Sequence, residues 1–157
     1  MRSQILSFLL LMLLPTGFAA ANDWATYRDA ERGCHISYPR NLFTRDDRVG
    51  GGVARFTGPN EQTFFRVMEA DNHGKLSLEA LRRKYFSENV PGKIIYERRT
   101  KDFLVFSGYR KQRVFYARVE LSPDKRTMCI FEITYPRVQK RAFDAVVTRM
   151  SHSFSAQ

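Results

Sequence analysis

The sequence lacks a hydrophobic run long enough to cross a membrane. Its longest apolar stretch, residues 5–14, is interrupted only by Ser7 and holds ten residues, whereas a spanning helix needs about 20. Arg2 precedes this stretch, and helix-breaking residues and three alanines follow it, the last of them Ala21. That order is typical of a signal peptide over residues 1–21, cleaved near Ala21. We therefore expect a periplasmic or secreted protein with a single domain over residues 22–157.

Cysteine is scarce as well: Cys34 and Cys129 are the two cysteines among 157 residues. Two cysteines cannot build a dense disulfide framework, and the C-x-x-C spacing of redox proteins is absent. Both lie among apolar residues on predicted strands. An even count in an oxidising compartment favours one disulfide that links the sheet, with two buried free thiols as the alternative.

Acidic residues are few, with 16 Asp and Glu against 26 Lys and Arg, so the net charge is +10. A charge of this size favours attraction to an acidic protein or an anionic envelope component. A solvated basic surface without a partner is the alternative interpretation. Nucleic acid is not an expected partner, because an exported chain rarely meets it and no RNA-stacking pattern is present.

Catalytic and metal-binding motifs are also missing. There is no G-x-S-x-G, and the S-x-x-K match that begins at Ser122 has a Pro-Asp centre that predicts a hairpin turn instead. The three histidines, His35, His73 and His152, are not spaced as zinc ligands. The sequence therefore predicts no metal site and no cofactor.

The secondary-structure pattern is rich in strands and predicts an α+β domain. Alternating apolar residues and turn residues predict strands at 24–28, 34–38, 53–57, 63–70, 94–99, 103–109, 114–121 and 127–135. Helices are predicted from Ser77 to about Glu88 and from Pro136 onward, and residues 41–52 are predicted to be a loop. Short polar connections join the last four strands, so these are expected to be antiparallel neighbours. In the strand at 114–121, Tyr116, Arg118 and Glu120 alternate with apolar residues, which is the pattern of a sheet with one well-covered face and one more open face. The expected architecture is a central antiparallel sheet flanked by helices.

Several short motifs occur in an order that points to a known fold. They are GCHISYPRNLF after an aromatic residue, SLEALRRKYF, FLVFSGYR with Ser107-Gly108, Tyr135-Pro136, and MSHSF. In this order the chain resembles small exported bacterial proteins with a PsbP-like fold. The resemblance implies an α/β/α sandwich and a binding or scaffolding role rather than a reaction. Cys34 stands where such proteins tend to have an apolar residue, which implies a buried position.

Clusters of basic residues are the strongest candidates for a binding site. They lie on the first helix and at two turns that flank the strand at 103–109, and they comprise Arg82, Arg83, Arg98, Arg99, Lys101, Arg110, Lys111 and Arg113. The two turns lie at opposite ends of that strand, so we expect the clusters to remain separate. The first helix together with one of these sets of loop residues would then form an anion-binding surface.

The expected function is therefore an exported, non-enzymatic binding or scaffolding module. The alternative is a periplasmic enzyme whose site is assembled from dispersed residues. Its best candidates are Glu132, His35 and Tyr116, because strand alternation would place all three on the polar side of the sheet. An ion pair with Arg118 or another cation is the other interpretation of Glu132.

Overall fold

The computed structural model describes residues 23–85 and 92–156. The predicted signal peptide and the end of the first predicted helix lie outside the described residues. The elements, in chain order, are β1 (Trp24–Arg28), β2 (His35–Pro39), β3 (Thr44–Asp46), β4 (Val53–Thr57), β5 (Phe64–Asp71), α1 (Leu78–Tyr85), β6 (Lys93–Arg99), β7 (Phe103–Arg110), β8 (Arg113–Leu121), β9 (Thr127–Pro136) and α2 (Lys140–Ser153). A 3-10 turn, Arg137–Gln139, leads into α2. No helix in these residues is long and apolar enough to span a bilayer.

The main sheet has seven antiparallel strands in the order β3-β4-β5-β9-β8-β7-β6. Short turns join β6 through β9, because antiparallel neighbours need only a few connecting residues. Strand β9 returns to pair with β5, so the two halves of the chain close into one sheet. Strands β1 and β2 form a separate antiparallel hairpin. The predicted α+β class with an antiparallel sheet is confirmed.

One face of the sheet, the α2 face, carries a core rich in phenylalanine. Helix α2 and the β1–β2 hairpin cover it, and Phe143, Val147 and Met150 of the helix are buried there. Phe56 and Phe65 from neighbouring strands stack with ring centroids 4.4 Å apart. Aromatic side chains of this size bury large apolar areas, so this cluster supplies much of the stabilisation.

The predicted disulfide is present between Cys34 and Cys129. Both cysteines are fully buried in the core of the α2 face. Cys34 immediately precedes β2, and Cys129 lies in β9, at the centre of the seven-stranded sheet. The bond therefore joins the small hairpin to the main sheet.

The opposite face, the α1 face, has a smaller core. Leu78 and Leu81 of α1 pack against buried residues of β7 and β8, including Leu104, Phe115 and Val119. The backbone N–H of Ala80 donates to Ser77 Oγ at 3.2 Å, as expected of an N-cap serine. Helix α1 covers only this half of the face.

Three details differ from the expectation. Thr44–Asp46, expected to be part of a loop, pairs with β4 as an edge strand. Each face carries a single described helix, so helical cover is thinner than a full sandwich would have. The polar side of β8 is also covered: the side chains of Arg118 and Glu120 are each 13% exposed, because α2 and the chain after it lie over them.

Candidate functional site

The predicted basic residues near α1 are held in ion pairs. Arg82 Nη2 lies 3.1 Å from Glu97 Oε2, and Arg83 Nη1 lies 2.8 Å from Glu79 Oε1. Arg99 also pairs with Glu79. These residues do come together in space, across α1 and β6. Because the two carboxylates lie among the three arginines, the net positive charge of this group is small.

A stronger concentration of positive charge lies at the β7–β8 turn. Arg110 and Arg113 are cross-strand partners on either side of the turn, and Lys93 stands opposite Tyr109 on the neighbouring strand. The backbone N–H of Arg137 donates to the carbonyl of Gln112 at 2.8 Å, which fixes the 3-10 turn beside the hairpin. We call this group the basic end: Lys93, Arg110, Lys111, Arg113 and Arg137.

The basic end contains no acidic residue in the segments that form it. Residues 92–96, 109–116 and 134–143 include no Asp or Glu. The next carboxylate along the chain, Asp144, is 2.9 Å from Lys140 Nζ. At Lys93, Lys111, Arg113 and Arg137 this surface therefore presents positive charge that its own segments do not neutralise.

Two further features of the basic end are an exposed valine and a lysine with a left-handed backbone. Val138 is 94% exposed and lies next to Arg137. Lys111 has a φ of +55°, in the left-handed region that costs a residue with a Cβ roughly 1 kcal/mol. Glycine or asparagine would fit this turn at lower cost. This conformation places Lys111 at the tip of the hairpin.

The opposite end of the sheet has mixed charge. Lys101 is exposed in the β6–β7 turn next to Asp102, and Arg126 Nε lies 3.8 Å from Asp124 Oδ2 in the β8–β9 turn. Lys125 has a φ of +61°, which resembles that of Lys111. This end therefore provides matched control positions for the basic end.

Arg98 lies apart from the other predicted residues, in a cleft of about 450 Å³ on the α2 face. The cleft runs between the second half of α2 and strands β6, β7 and β8. Arg118 Nη1 donates to Ser151 Oγ at 3.2 Å, and Tyr116 Oη lies 2.6 Å from the same oxygen. Sequence analysis missed this cleft because three strands and a distant helix supply its walls.

The structure does not bring together the three residues proposed for an enzyme. Tyr116 pairs with Ile133, whereas Glu132 pairs with Ala117, so the two side chains point to opposite faces of the sheet. His35 belongs to the separate β1–β2 hairpin. The expectation of a shared polar face was wrong, because the register of β8 and β9 places Tyr116 and Glu132 on opposite faces and β2 is not part of this sheet.

Glu132 forms the ion pair that was its other interpretation, but with Arg66 rather than Arg118. Arg66 Nη2 donates to Glu132 Oε2 at 2.7 Å, and the two residues are cross-strand partners on β5 and β9. A cross-strand ion pair therefore explains why this carboxylate lies within an apolar strand.

A second cleft, of about 390 Å³, gathers carboxylates near the glycine-rich loop. Burial, together with the negative charge of Asp29, raises the pKa of Glu69 to about 7. Burial alone would raise the pKa of Asp29 too, but backbone N–H groups of Arg32 and Glu31 donate to its Oδ1 and hold the pKa below its ordinary value. The described residues contain no group of three or more potential metal ligands.

This titration predicts a pH-dependent stability. The pKa of Glu69 is about 7 in the folded chain, above the ordinary value of 4.5, so the folded state binds the proton more tightly. Stability should therefore fall as pH rises from about 4.5 to 7. Because Glu69 is partly exposed, we expect Glu69→Gln to be more stable than wild type by only about 1 kcal/mol at pH 8. Chemical unfolding at pH 5 and pH 8 measures the difference.

Glu61→Gln is the control, since Glu61 is an exposed acid in the β4–β5 turn. It should leave the difference between the two pH values unchanged. An equal gain at both pH values for Glu69→Gln would contradict the assigned titration.

The geometry thus defines an α+β protein in which a seven-stranded antiparallel sheet lies between one helix on one face and a helix with a hairpin on the other. The solution structure of cyanobacterial PsbP, CyanoP, from Synechocystis is similar, with a TM-score of 0.63 and 14% identity over 92% of this chain and 99% of that chain. The chain therefore has the PsbP-like fold that its motifs predicted. At this identity the likeness shows the fold alone.

A crystal structure from Bacteroides thetaiotaomicron is also similar, with a TM-score of 0.49 and 12% identity over 79% of this chain and 45% of that chain. No protein-family model matches the chain, and no curated protein matches it.

Proposed function

We propose that this protein is an exported, non-enzymatic docking module that binds an acidic protein of the cell envelope through its basic end. In this proposal the signal peptide is removed near Ala21 and the domain acts in the periplasm. The observation that carries the proposal is the gathering of Lys93, Lys111, Arg113 and Arg137 from three separate segments that contain no carboxylate. The buried disulfide and the PsbP-like fold are consistent with an exported protein.

The shape of the basic end supports protein docking over a merely solvated surface. Val138 is an exposed apolar residue that directly follows Arg137, and protein interfaces likewise combine apolar side chains with arginine. The separation of Glu132 from Tyr116 supports binding over catalysis by those residues.

The test compares two variants that each remove three positive charges. The first is Lys93→Gln/Lys111→Asn/Arg113→Gln at the basic end, and the second is the control Lys101→Gln/Lys125→Asn/Arg126→Gln at the opposite end. Each protein is used to capture partners from an envelope extract at about 50 mM and about 1 M salt, where charge interactions are largely screened. Affinity for the captured partner is then measured by surface plasmon resonance.

We expect wild type and the control to bind an acidic partner at low salt and to release it at high salt. The basic-end variant should bind at least about tenfold more weakly, since charge complementarity across an interface is lost. Equal weakening in both variants would mean that only total charge matters. Binding that resists about 1 M salt would contradict an electrostatic interface.

A further inference from the structure

The cleft on the α2 face holds two arginine side chains over one aromatic ring. The guanidinium carbon of Arg118 lies 4.2 Å from the centroid of Phe103, and that of Arg98 lies 5.7 Å from the same centroid. The two positive charges are therefore less than about 10 Å apart, which is within a Debye length at 0.1 M salt. An anion that lies near both would lower their mutual repulsion.

The protein neutralises only one of these arginines. Arg118 Nε donates to Glu120 Oε1 at 2.8 Å and its Nη1 donates to Ser151 Oγ, so this side chain is fixed and nearly buried. Arg98 is exposed at the rim, and no carboxylate of the described residues forms an ion pair with it. The cleft thus contains one positioned guanidinium and one that is available to a ligand.

The same cleft has an apolar part next to these charges. Val105 and Phe103 of β7 face Val147 of α2 across it, and Tyr96 of β6 stands at the rim with 49% exposure. The volume of about 450 Å³ lies within the range of small-molecule sites. An apolar body of modest size would displace water here.

The hydroxyl groups at the base of the cleft are ordered by the protein itself. Tyr116 Oη and Ser151 Oγ are hydrogen bonded at 2.6 Å, and Arg118 donates to the same serine oxygen. Burial raises the pKa of Tyr116, so its phenol stays neutral. These two hydroxyl groups fix the position of Arg118, and their hydrogen bonds are made within the protein without a ligand.

We infer that this cleft is a binding site for a small carboxylate with a compact apolar body. The carboxylate would lie between Arg98 and Arg118, where a guanidinium can donate two parallel hydrogen bonds. The apolar body would contact Val105, Val147 and the ring of Tyr96. The site is distinct from the basic end, because it lies on the α2 face of the sheet rather than at the β7–β8 turn.

The test is an NMR titration of ¹⁵N-labelled protein purified from the periplasm. The probes are 3-phenylpropionate, its uncharged alcohol 3-phenylpropan-1-ol, acetate and inorganic phosphate, each up to about 20 mM to detect millimolar affinity. We expect 3-phenylpropionate to produce saturable shifts confined to amides of the cleft. The alcohol, acetate and phosphate should each bind at least about fivefold more weakly. The alcohol lacks the negative charge, acetate lacks the apolar body, and phosphate lacks the planar carboxylate geometry.

Arg98→Gln and Arg99→Gln are matched variants on the same edge strand. Their side chains point to opposite faces, and both are exposed, so neither should unfold the protein. Arg98→Gln should weaken 3-phenylpropionate binding by about tenfold, and Arg99→Gln by less than about twofold.

Three results would overturn the inference. They are an absence of saturable shifts with 3-phenylpropionate, an affinity for the alcohol or phosphate equal to or greater than that for the carboxylate, and an equal loss in both variants.

Discussion

Loss of the Cys34–Cys129 disulfide should lower the melting temperature by about 15 °C. The two cysteines are 95 residues apart in sequence, so the bond closes most of the domain into one loop. In the chain-entropy treatment a loop of this length stabilises the folded state by about 4–5 kcal/mol. Typical domains have a total unfolding free energy of about 5–15 kcal/mol, so this is a large fraction. Thermal unfolding of wild type with and without reductant, followed by circular dichroism, measures the effect.

The variant Cys34→Ala/Cys129→Ala provides the control for this experiment. Its melting temperature should match that of reduced wild type and should not respond to reductant. A fall of less than about 3 °C in both cases would mean that hairpin packing, rather than the bond, holds β1 and β2 to the main sheet. The reductant experiment on wild type remains informative if the variant does not fold.

Most of the fold follows from local patterns in the sequence. Alternation of apolar residues located every strand of the main sheet apart from β3, which is short and largely charged and so carries no apolar period. The pairing of Cys34 with Cys129 followed from their even count and apolar settings. Alternation could not show which face of each strand is covered by other elements. That depends on where α2 and the β1–β2 hairpin pack. For this reason the polar side of β8 was expected to be open.

The candidate site was predictable only in part, because charge at a surface depends on tertiary neighbours. The sequence identified Arg110, Lys111 and Arg113 as a cluster, but strand pairing adds Lys93 and the 3-10 turn adds Arg137. The acids that neutralise the other arginine cluster become visible only once α1 packs beside β6.

The cleft on the α2 face had no sequence signature at all. Arg98 was already identified as part of a basic cluster at a turn. Its position over Phe103, beside Arg118, depends on the register of three strands. Sites assembled from single residues on several elements leave no spacing pattern in a single sequence.

Gly108→Ala should detach strand β6 from the edge of the sheet. A Cβ at this position would lie 1.9 Å from the carbonyl oxygen of Lys93 and 2.9 Å from the Cα of Ile94. Both contacts are with backbone, which cannot rotate away as a side chain would. Within residues 23–85 and 92–156, strand β6 is an edge strand that pairs only with β7, so moving it is the least costly response. We expect a loss of about 3 kcal/mol, or about 10 °C in melting temperature.

Gly50→Ala is the matched control, since a Cβ there would meet no atom within 4 Å. It should change the melting temperature by less than about 2 °C. Hydrogen exchange should show lost protection at residues 96–99 in Gly108→Ala and unchanged protection in β9. A Gly108→Ala protein with wild-type exchange in β6 would contradict this account.

Because β6 carries Tyr96 and Arg98 into the cleft and Lys93 into the basic end, the same variant should weaken 3-phenylpropionate binding and partner docking together. Arg98→Gln should affect 3-phenylpropionate binding alone, which separates damage to the strand from loss of a single ligand contact.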